Sequence, residues 1–128
     1  MRIYKTKTFS RWLKRTGLSD RELIQAVTEI GNGLIDAHLG GNVIKKRIRL
    51  SGQGKRGGYR TILAINHHDR CYFMFGFAKN ERDNIKDDEL RMLKMLAAVL
   101  LDMDDTHIER TVSHGELEEI FDGNQKIT

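Results

Sequence analysis

The hydrophobic residues in the first part of the chain recur with the period of an α-helix. Phe9, Trp12 and Leu13 stand at positions i, i+3 and i+4 of a segment that Gly17 ends. A second helical stretch begins at Ser19, which forms a capping-box pattern with the glutamate three positions later. These two short helices, joined by a tight turn, predict an αα-hairpin.

The period changes to two after the glycine-rich loop at 39–41, which predicts strands. In the first strand the apolar residues share one face with Lys46, and the opposite face is cationic. Residues 51–58 contain four glycines and two basic residues, a composition typical of a flexible loop. Two further strands are predicted at 59–66 and 70–78. The last strand alternates apolar residues, which predicts the core face of a central strand: Cys71, Phe73, Phe75 and Phe77.

A third helix is predicted at 87–103 by apolar residues at helical spacing. Three aspartates crowd its C-terminal end, where the helix dipole favours positive charge: Asp102, Asp104 and Asp105. The pair Ser113 and Glu116, followed by an apolar stripe over 117–121, predicts a short amphipathic helix in the tail. The order of elements indicates an α+β fold, in which an N-terminal αα-hairpin packs on a small antiparallel sheet and a C-terminal helix follows.

The chain has 128 residues, enough for one domain, and carries a net charge of +4. That charge is uneven, because residues 1–101 hold a net +10 and residues 102–128 a net −6. The expected organisation is a basic body at 1–101 with an acidic extension at 102–128 that belongs to the same single domain. A strongly basic body favours a polyanionic partner.

Several classes of protein are disfavoured by what the sequence lacks. No apolar run is long enough to cross a bilayer, so no membrane association is expected. The single cysteine, Cys71, excludes an internal disulfide and fits a cytoplasmic location. The segment at 54–56 lacks the hydroxyl of a nucleotide-triphosphate loop, and the five histidines show no metal-ligand spacing. We therefore expect neither a metal nor another cofactor.

The remaining chemistry lies in basic residues on two neighbouring strands and the loop between them. Five of them are placed where they could converge on one phosphate: Lys45, Arg47, Arg49, Lys55 and Arg60. Lys79 follows the last strand at its end, and Tyr59 could stack on a base. The alternative interpretation is an ordinary solvated sheet face, with Tyr59 as a core or rim residue.

Such a cluster could also cleave RNA without a metal. That reaction requires deprotonation of a 2′-hydroxyl, neutralisation of the charge that grows on the phosphate, and a proton for the leaving oxygen. Arginine and lysine side chains held around one phosphate supply the neutralisation directly. A crowded lysine can also transfer a proton. From the residues alone, the prediction is a small α+β domain directed at RNA or DNA.

Local segments sharpen this prediction through a resemblance to known toxins. The segments KTKTF at 5–9, GLSD at 17–20, LGG at 39–41, KKR at 45–47, GKRGGYR at 54–60 and FAKNERDNI at 77–85 together resemble the HigB-like branch of RelE toxins, in the RelE/ParE superfamily. The resemblance covers roughly residues 1–101 and leaves 102–128 outside it. By analogy, a short strand is expected at about residues 2–4.

The resemblance implies a RelE-like fold and a ribosome-dependent mRNA endonuclease, or mRNA interferase, that inhibits translation. It also implies a cognate antitoxin, usually a helix-turn-helix protein. The toxin is then expected to contact operator DNA only through this antitoxin. Carried over by position, the catalytic residues are Lys55, Arg60 and Lys79. The RNA-binding residues are then Lys45, Arg47, Arg49, Arg56, Tyr59 and Arg82. The family's tyrosine near the C-terminus has no match, because no tyrosine follows Tyr72.

Two other functions stay open at this point. The first is a non-enzymatic toxin that inhibits a topoisomerase by binding, as in the ParE branch. The second is an inactive relative that binds only an antitoxin or DNA. The acidic extension is open as well, because it could dock over the basic sheet and neutralise it, or pack beside the third helix as a structural cap.

Overall fold

The computed structural model describes residues 1–50, 58–66 and 69–121. Within them the chain forms an α+β fold with a six-stranded sheet and four helices. The elements are, in chain order, β1 (Arg2–Thr6), α1 (Lys7–Leu13), α2 (Asp20–Gly31), β2 (Ala37–Gly40), β3 (Val43–Ile48), β4 (Tyr59–Asn66), β5 (Arg70–Ala78), α3 (Asp87–Asp102), α4 (Asp105–Ser113) and β6 (Leu117–Ile120). The predicted α+β class is confirmed. No helix in the described ranges is long and apolar enough to span a membrane.

The sheet has the strand order β2-β3-β4-β5-β1-β6 and is mixed rather than antiparallel. β1 lies parallel to β5, whereas the other neighbouring strands pair antiparallel. Hydrophobic side chains form one core between the sheet and α1 with α2, and a second core between the other face and α3 with α4. The central strands are therefore covered on both faces.

The N-terminal helices begin where the sequence provides caps. The Oγ1 atom of Thr6 accepts a hydrogen bond from the Phe9 amide at 3.1 Å, so that α1 begins directly after β1. The predicted capping box of α2 is present, with the Ser19 amide donating to Glu22 at 2.6 Å. The strand expected near residues 2–4 is also present as β1.

The tail differs from its prediction, because residues 117–120 form strand β6 and not a helix. Leu117 belongs to the core beside α3, and Ile120 belongs to the core on the opposite face. Residues three apart in a strand point to opposite faces, and here both faces are covered. Apolar residues at i and i+3 are therefore compatible with a strand that is covered on both faces as well as with an amphipathic helix. Phe121, the third residue of the predicted stripe, is exposed.

The position of β6 contradicts the hypothesis that this part of the acidic extension covers the basic strands. β6 pairs with β1 at one edge of the sheet, and β5 and β4 separate β1 from β3. Glu118 of β6 lies 3.2 Å from the buried ammonium of Lys5, so its charge serves the fold. The described part of the extension completes the sheet instead.

The aspartates after α3 are explained by a further helix that the sequence pattern did not predict. The Asp104 carboxylate accepts from the His107 amide at 2.8 Å and caps α4, and Asp105 lies in its first turn. The C-terminal carbonyls of α3 receive their positive charge from β5, because Arg70 donates to Leu101 and Met103. The dipole of α3 is thus satisfied from a distant part of the chain.

A β-bulge in β5 breaks the predicted alternation. Leu63 faces Phe73, but the preceding residue Ile62 faces Phe75, so that Met74 is the extra residue. Cys71 and Phe73 therefore join the core beside α1, as predicted. Phe75 packs on the α3 side, which corrects the prediction that all four residues share one face. The bulge turns the aromatic residues at the end of β5 toward the face that carries the basic residues of β3.

Candidate nucleic-acid interface

Strands β3 and β4 together form a cationic surface on the α3 side of the sheet. The predicted alternation of β3 is confirmed, since Ile44 and Ile48 are buried in the core beneath α2 and Arg47 is exposed. Arg47 stands directly opposite Arg60 in the β3–β4 ladder. The backbones of cross-strand partners lie about 5 Å apart, so two arginines stand side by side here, and neither strand contributes a carboxylate.

Arg60 is buried, with 8% of its surface exposed, yet it lacks a full set of partners. Its Nη1 atom is buried without a hydrogen-bond partner. The nearest carboxylate is that of Asp36, 3.9 Å from the Nε atom. Burial lowers the pKa of Arg60, and the neighbouring charges of Arg47 and Arg49 lower this pKa further. The site therefore has an excess of positive charge, which an anion would neutralise.

The other buried cations of the described ranges each have close hydrogen-bond acceptors or carboxylates. Burial of a cation in this fold is therefore compatible with a full set of partners. Lys5 contacts Asp20 at 2.8 Å, and Lys46 contacts Glu29 at 2.8 Å. Arg70 donates hydrogen bonds to the side chains of Asp69 and Tyr72 and to two carbonyls of the α3 C-terminus. Buried charges are normally paired in this way, because desolvation is costly. Arg60 departs from the rule at the place where the sequence predicted a phosphate.

The structure places the remaining predicted residues at different distances from this centre. Lys79 is exposed in the turn after β5, where its amide donates to the Gly58 carbonyl at 3.2 Å, at the entrance to β4. Tyr59 lies on the other face of the sheet and packs edge-on against Trp12, with ring centroids 5.5 Å apart. Its ring therefore lies on the face of the sheet opposite to the Arg60 side chain. Lys55 and Arg56, with the rest of the predicted loop at 51–57, lie outside the described residues.

Arg82 is held by an ion pair and by aromatic rings. Its Nη1 atom lies 2.8 Å from Glu89 at the start of α3. Its guanidinium covers the rings of Phe75 and Phe77, at 5.1 and 5.2 Å from their centroids. Phe77 is the direct partner of Arg60 in the β4–β5 ladder. Arg82 is therefore adjacent to the cationic surface, although its own charge is already paired.

One residue of the site had no signal in the sequence. Asp36 precedes β2 in a loop, and its amide donates to the Lys45 carbonyl at 3.0 Å, which holds it against the edge of β3. Loop residues follow no hydrophobic period, so their tertiary partners are not predictable from spacing. β2 itself was also missed, because its last two residues, Leu39 and Gly40, were interpreted as part of the glycine loop at 39–41.

Two other kinds of chemistry find no support in the described ranges. No group of three or more histidine, cysteine, aspartate or glutamate side chains is placed to hold a metal ion there. Cys71 is fully buried, and burial raises the pKa of its thiol far above neutrality, which disfavours a thiolate nucleophile. The chemistry that the described side chains support best is the electrostatic binding of an anion.

A cationic strand pair of this kind favours the binding of a polyanion. The family model described as RelE toxin of RelE / RelB toxin-antitoxin system matches residues 1–120. No significant match is found among curated proteins. The chain belongs to the RelE toxin family, and membership implies a cognate antitoxin as partner. The match includes α4 and β6, which corrects the expectation that the likeness ends near residue 101.

Proposed function

We propose that this toxin is a HigB-like, ribosome-dependent mRNA endonuclease that inhibits translation without a metal or other cofactor. The single observation that carries the proposal is Arg60, a buried guanidinium with an unpartnered Nη1 atom and a distant counter-charge. A phosphodiester would supply the missing acceptor and the missing negative charge. Arg47 and Arg49 add positive charge beside it, and Lys45 lies on the same face of β3.

The reaction that such a site supports is attack of the adjacent 2′-oxygen on phosphorus. The P–O5′ bond breaks, and the products carry a 2′,3′-cyclic phosphate and a 5′-hydroxyl. Arg60 would stabilise the negative charge that grows on the phosphate oxygens. Lys55 and Lys79 are the candidates for proton transfer from the 2′-hydroxyl and to the leaving oxygen. Their assignment rests on the family resemblance, as do the RNA-binding roles of Arg56, Tyr59 and Arg82.

The partners follow from the same proposal. The toxin acts on mRNA bound to the ribosome in the cytoplasm, and a helix-turn-helix antitoxin holds it inactive. Operator DNA is contacted only through that antitoxin. Such a system needs no membrane component.

The experiment that tests the function is expression of the toxin with mapping of cellular RNA ends. We expect new 5′-hydroxyl ends within coding regions for the wild-type chain. Arg60→Gln and Lys55→Ala should abolish both cleavage and growth arrest, whereas Arg110→Gln, on the exposed surface of α4, should leave both unchanged. Loss of one buried donor to the transition state costs roughly 10²–10³-fold in rate. Growth arrest without new RNA ends would instead indicate a ParE-like toxin that acts by binding a protein, and harmless expression would indicate an inactive relative.

A further inference from the structure

A cavity of about 350 Å³ opens between α1 and the C-terminal half of β5. β1 pairs with β5 only as far as Phe73, so no strand in the described ranges covers this edge beyond that residue. The volume lies at the lower end of the range for small-molecule sites. Three aromatic residues, three arginines and one glutamate are among the residues that line it: Trp12, Phe75, Phe77, Arg11, Arg15, Arg82 and Glu81.

The cavity has flat walls that are fixed in place. The indole of Trp12 lies on the backbone of Gly76, where a Cβ atom would overlap its six-membered ring. Tyr59 and Phe9 pack against the same indole, at centroid distances of 5.5 and 5.3 Å. On the other side, the Arg82 guanidinium covers Phe75 and Phe77 and is anchored by its ion pair. These contacts hold a planar cation and aromatic surfaces around one space.

Polar groups complete the cavity. The Met74 carbonyl accepts from Thr6, and the Lys79 amide donates toward β4, so strand alternation directs the backbone of Gly76 to the open edge. Its N–H and carbonyl can pair with the edge of a flat ligand. Arg11 and Arg15 are exposed and add positive charge to the lining, and the exposed Glu81 adds one negative charge.

The cavity adjoins the candidate phosphate site. Phe77, in its wall, is the cross-strand partner of Arg60, and such partners lie about 5 Å apart. Arg60 lies on the α3 face of the sheet and Trp12 on the opposite face. A strand of nucleic acid whose phosphate lies at Arg60 would therefore reach the cavity around the edge of β5, past Arg82, and place a neighbouring base there.

We propose that this cavity is a nucleobase subsite, which holds one unstacked base of the RNA strand that lies across Arg47 and Arg60. The inference rests on the proposed function and specifies how the substrate is held. Proteins bind single-stranded RNA by stacking its bases on aromatic rings and arginine planes, and both surfaces are present here. A simple anion site would not require three aromatic rings.

Trp12 is the only tryptophan of the chain, so its fluorescence reports on this cavity directly. The test uses the full chain and an end-labelled, single-stranded RNA of about ten nucleotides, within the length range that single-strand sites bind. Anisotropy of the label measures overall binding, and quenching of Trp12 measures occupancy of the cavity. An abasic deoxyribose-phosphate strand of equal charge is the ligand control.

Two variants and one matched control separate stacking from charge. We expect Phe75→Leu to weaken RNA binding roughly tenfold through lost stacking. Arg15→Ala should weaken it roughly fivefold through a lost charge-assisted contact. Lys14→Ala removes the same charge from the neighbouring exposed position outside this cavity, and should change binding less than twofold. Circular dichroism establishes that each variant is folded.

The possible results distinguish this proposal from the proposed function. Quenching by RNA but not by the abasic strand, together with the expected order of variants, supports the base subsite. If RNA binds and Arg60→Gln weakens it, but Trp12 is not quenched and Arg15→Ala equals Lys14→Ala, the subsite is refuted and the RNA-binding surface stands. Equal quenching by the abasic strand also refutes a base subsite. Failure of RNA to bind by either measurement would overturn the base subsite, whereas the proposed function is decided separately by the mapping of cellular RNA ends.

Discussion

Arg60 and Arg70 provide a matched pair for testing whether the cationic surface is functional. Both are buried to the same extent, with 8% of their surface exposed, but Arg70 has a full set of acceptors and Arg60 does not. Methionine approximates the length of the arginine stem without its charge. If Arg60 is retained for binding, then Arg60→Met should stabilise the fold while it abolishes RNA cleavage.

The expected change for Arg60→Met follows from its contacts. Removal of a buried donor without a partner recovers about 1–3 kcal/mol. Loss of the 3.9 Å contact with the partly exposed Asp36 offsets about 1 kcal/mol of this gain. Relief of repulsion from Arg47 acts in the stabilising direction. We therefore expect a net stabilisation of about 1 kcal/mol, which corresponds to a rise in Tm of about 3–6 °C for a chain of this size.

Arg70→Met should have the opposite effect. Its guanidinium donates to Tyr72 at 2.9 Å and to the carbonyls of Met103 and Leu101 at 2.8 and 3.1 Å. Substitution leaves those carbonyls at the end of α3 without their donor, and hydrogen bonds to a charged group contribute about 1.5–3 kcal/mol each. We expect a destabilisation of at least about 3 kcal/mol.

The assay is equilibrium unfolding in urea, followed by circular dichroism and by Trp12 fluorescence. With a slope of about 2 kcal/mol per molar urea, Arg60→Met should raise the midpoint by about 0.5 M and Arg70→Met should lower it by at least about 1.5 M. Equal slopes for the variants establish that the unfolded reference is unchanged. If Arg60→Met destabilises the protein by more than about 1 kcal/mol, the reasoning fails, because Arg60 would then be a satisfied structural cation.

Four further predictions concern the fold. Glu29→Gln leaves the buried Lys46 without its carboxylate and should cost about 2 kcal/mol at neutral pH, whereas adding Lys46→Met should restore most of it. The hydrogen bond from Lys46 lowers the pKa of Glu29. The stability that ionised Glu29 gives the fold is therefore complete above the ordinary pKa of 4.5 and is lost as the pH falls through the lowered pKa. Urea unfolding at a series of pH values should show that Glu29→Gln loses less stability in acid than the wild-type chain does. Gly76→Ala should destabilise by about 1–3 kcal/mol in thermal unfolding, because its methyl group overlaps Trp12, and an unchanged Tm would contradict that packing. Ile120→Ala should cost about 2–5 kcal/mol by calorimetry, against almost nothing for the exposed neighbour Phe121→Ala; similar Tm values for the two would contradict the role of β6 in the core.

The parts of the fold that the sequence predicted are those governed by neighbours along the chain. The capping box of Ser19 and Glu22 is closed within one turn, and the two faces of β3 follow from its alternation. The bulge at Met74 and the tail strand could not be predicted in this way. A bulge depends on the register of the partner strand, and the Leu117–Ile120 spacing satisfies a helix on one core or a strand between two cores.

The features of the candidate site fall into the same two groups: those that the sequence predicts and those that depend on strand pairing. Periodicity placed Arg47 and Arg60 on strands, and the family resemblance identified Arg60 as a candidate catalytic residue. Neither revealed that Arg60 is buried without a full set of partners or that Phe75 turns toward its face. Those facts depend on Asp36 and on the bulge, which come together only when the strands pair.

By itself, the sequence determined the α+β class, the basic body and the membership in a toxin family that implies an antitoxin partner. These properties follow from composition, local hydrophobic period and motifs, and all three can be recognised without knowing which residues contact each other in the fold. The tertiary structure decided which buried cations are satisfied. The carbonyl acceptors of Arg70, Leu101 and Met103, lie 31 and 33 residues away in sequence, and no spacing pattern predicts them. Only the packed sheet shows that Arg70 has a full set of acceptors and that Arg60 does not, because hydrogen-bond satisfaction is a property of three-dimensional neighbours.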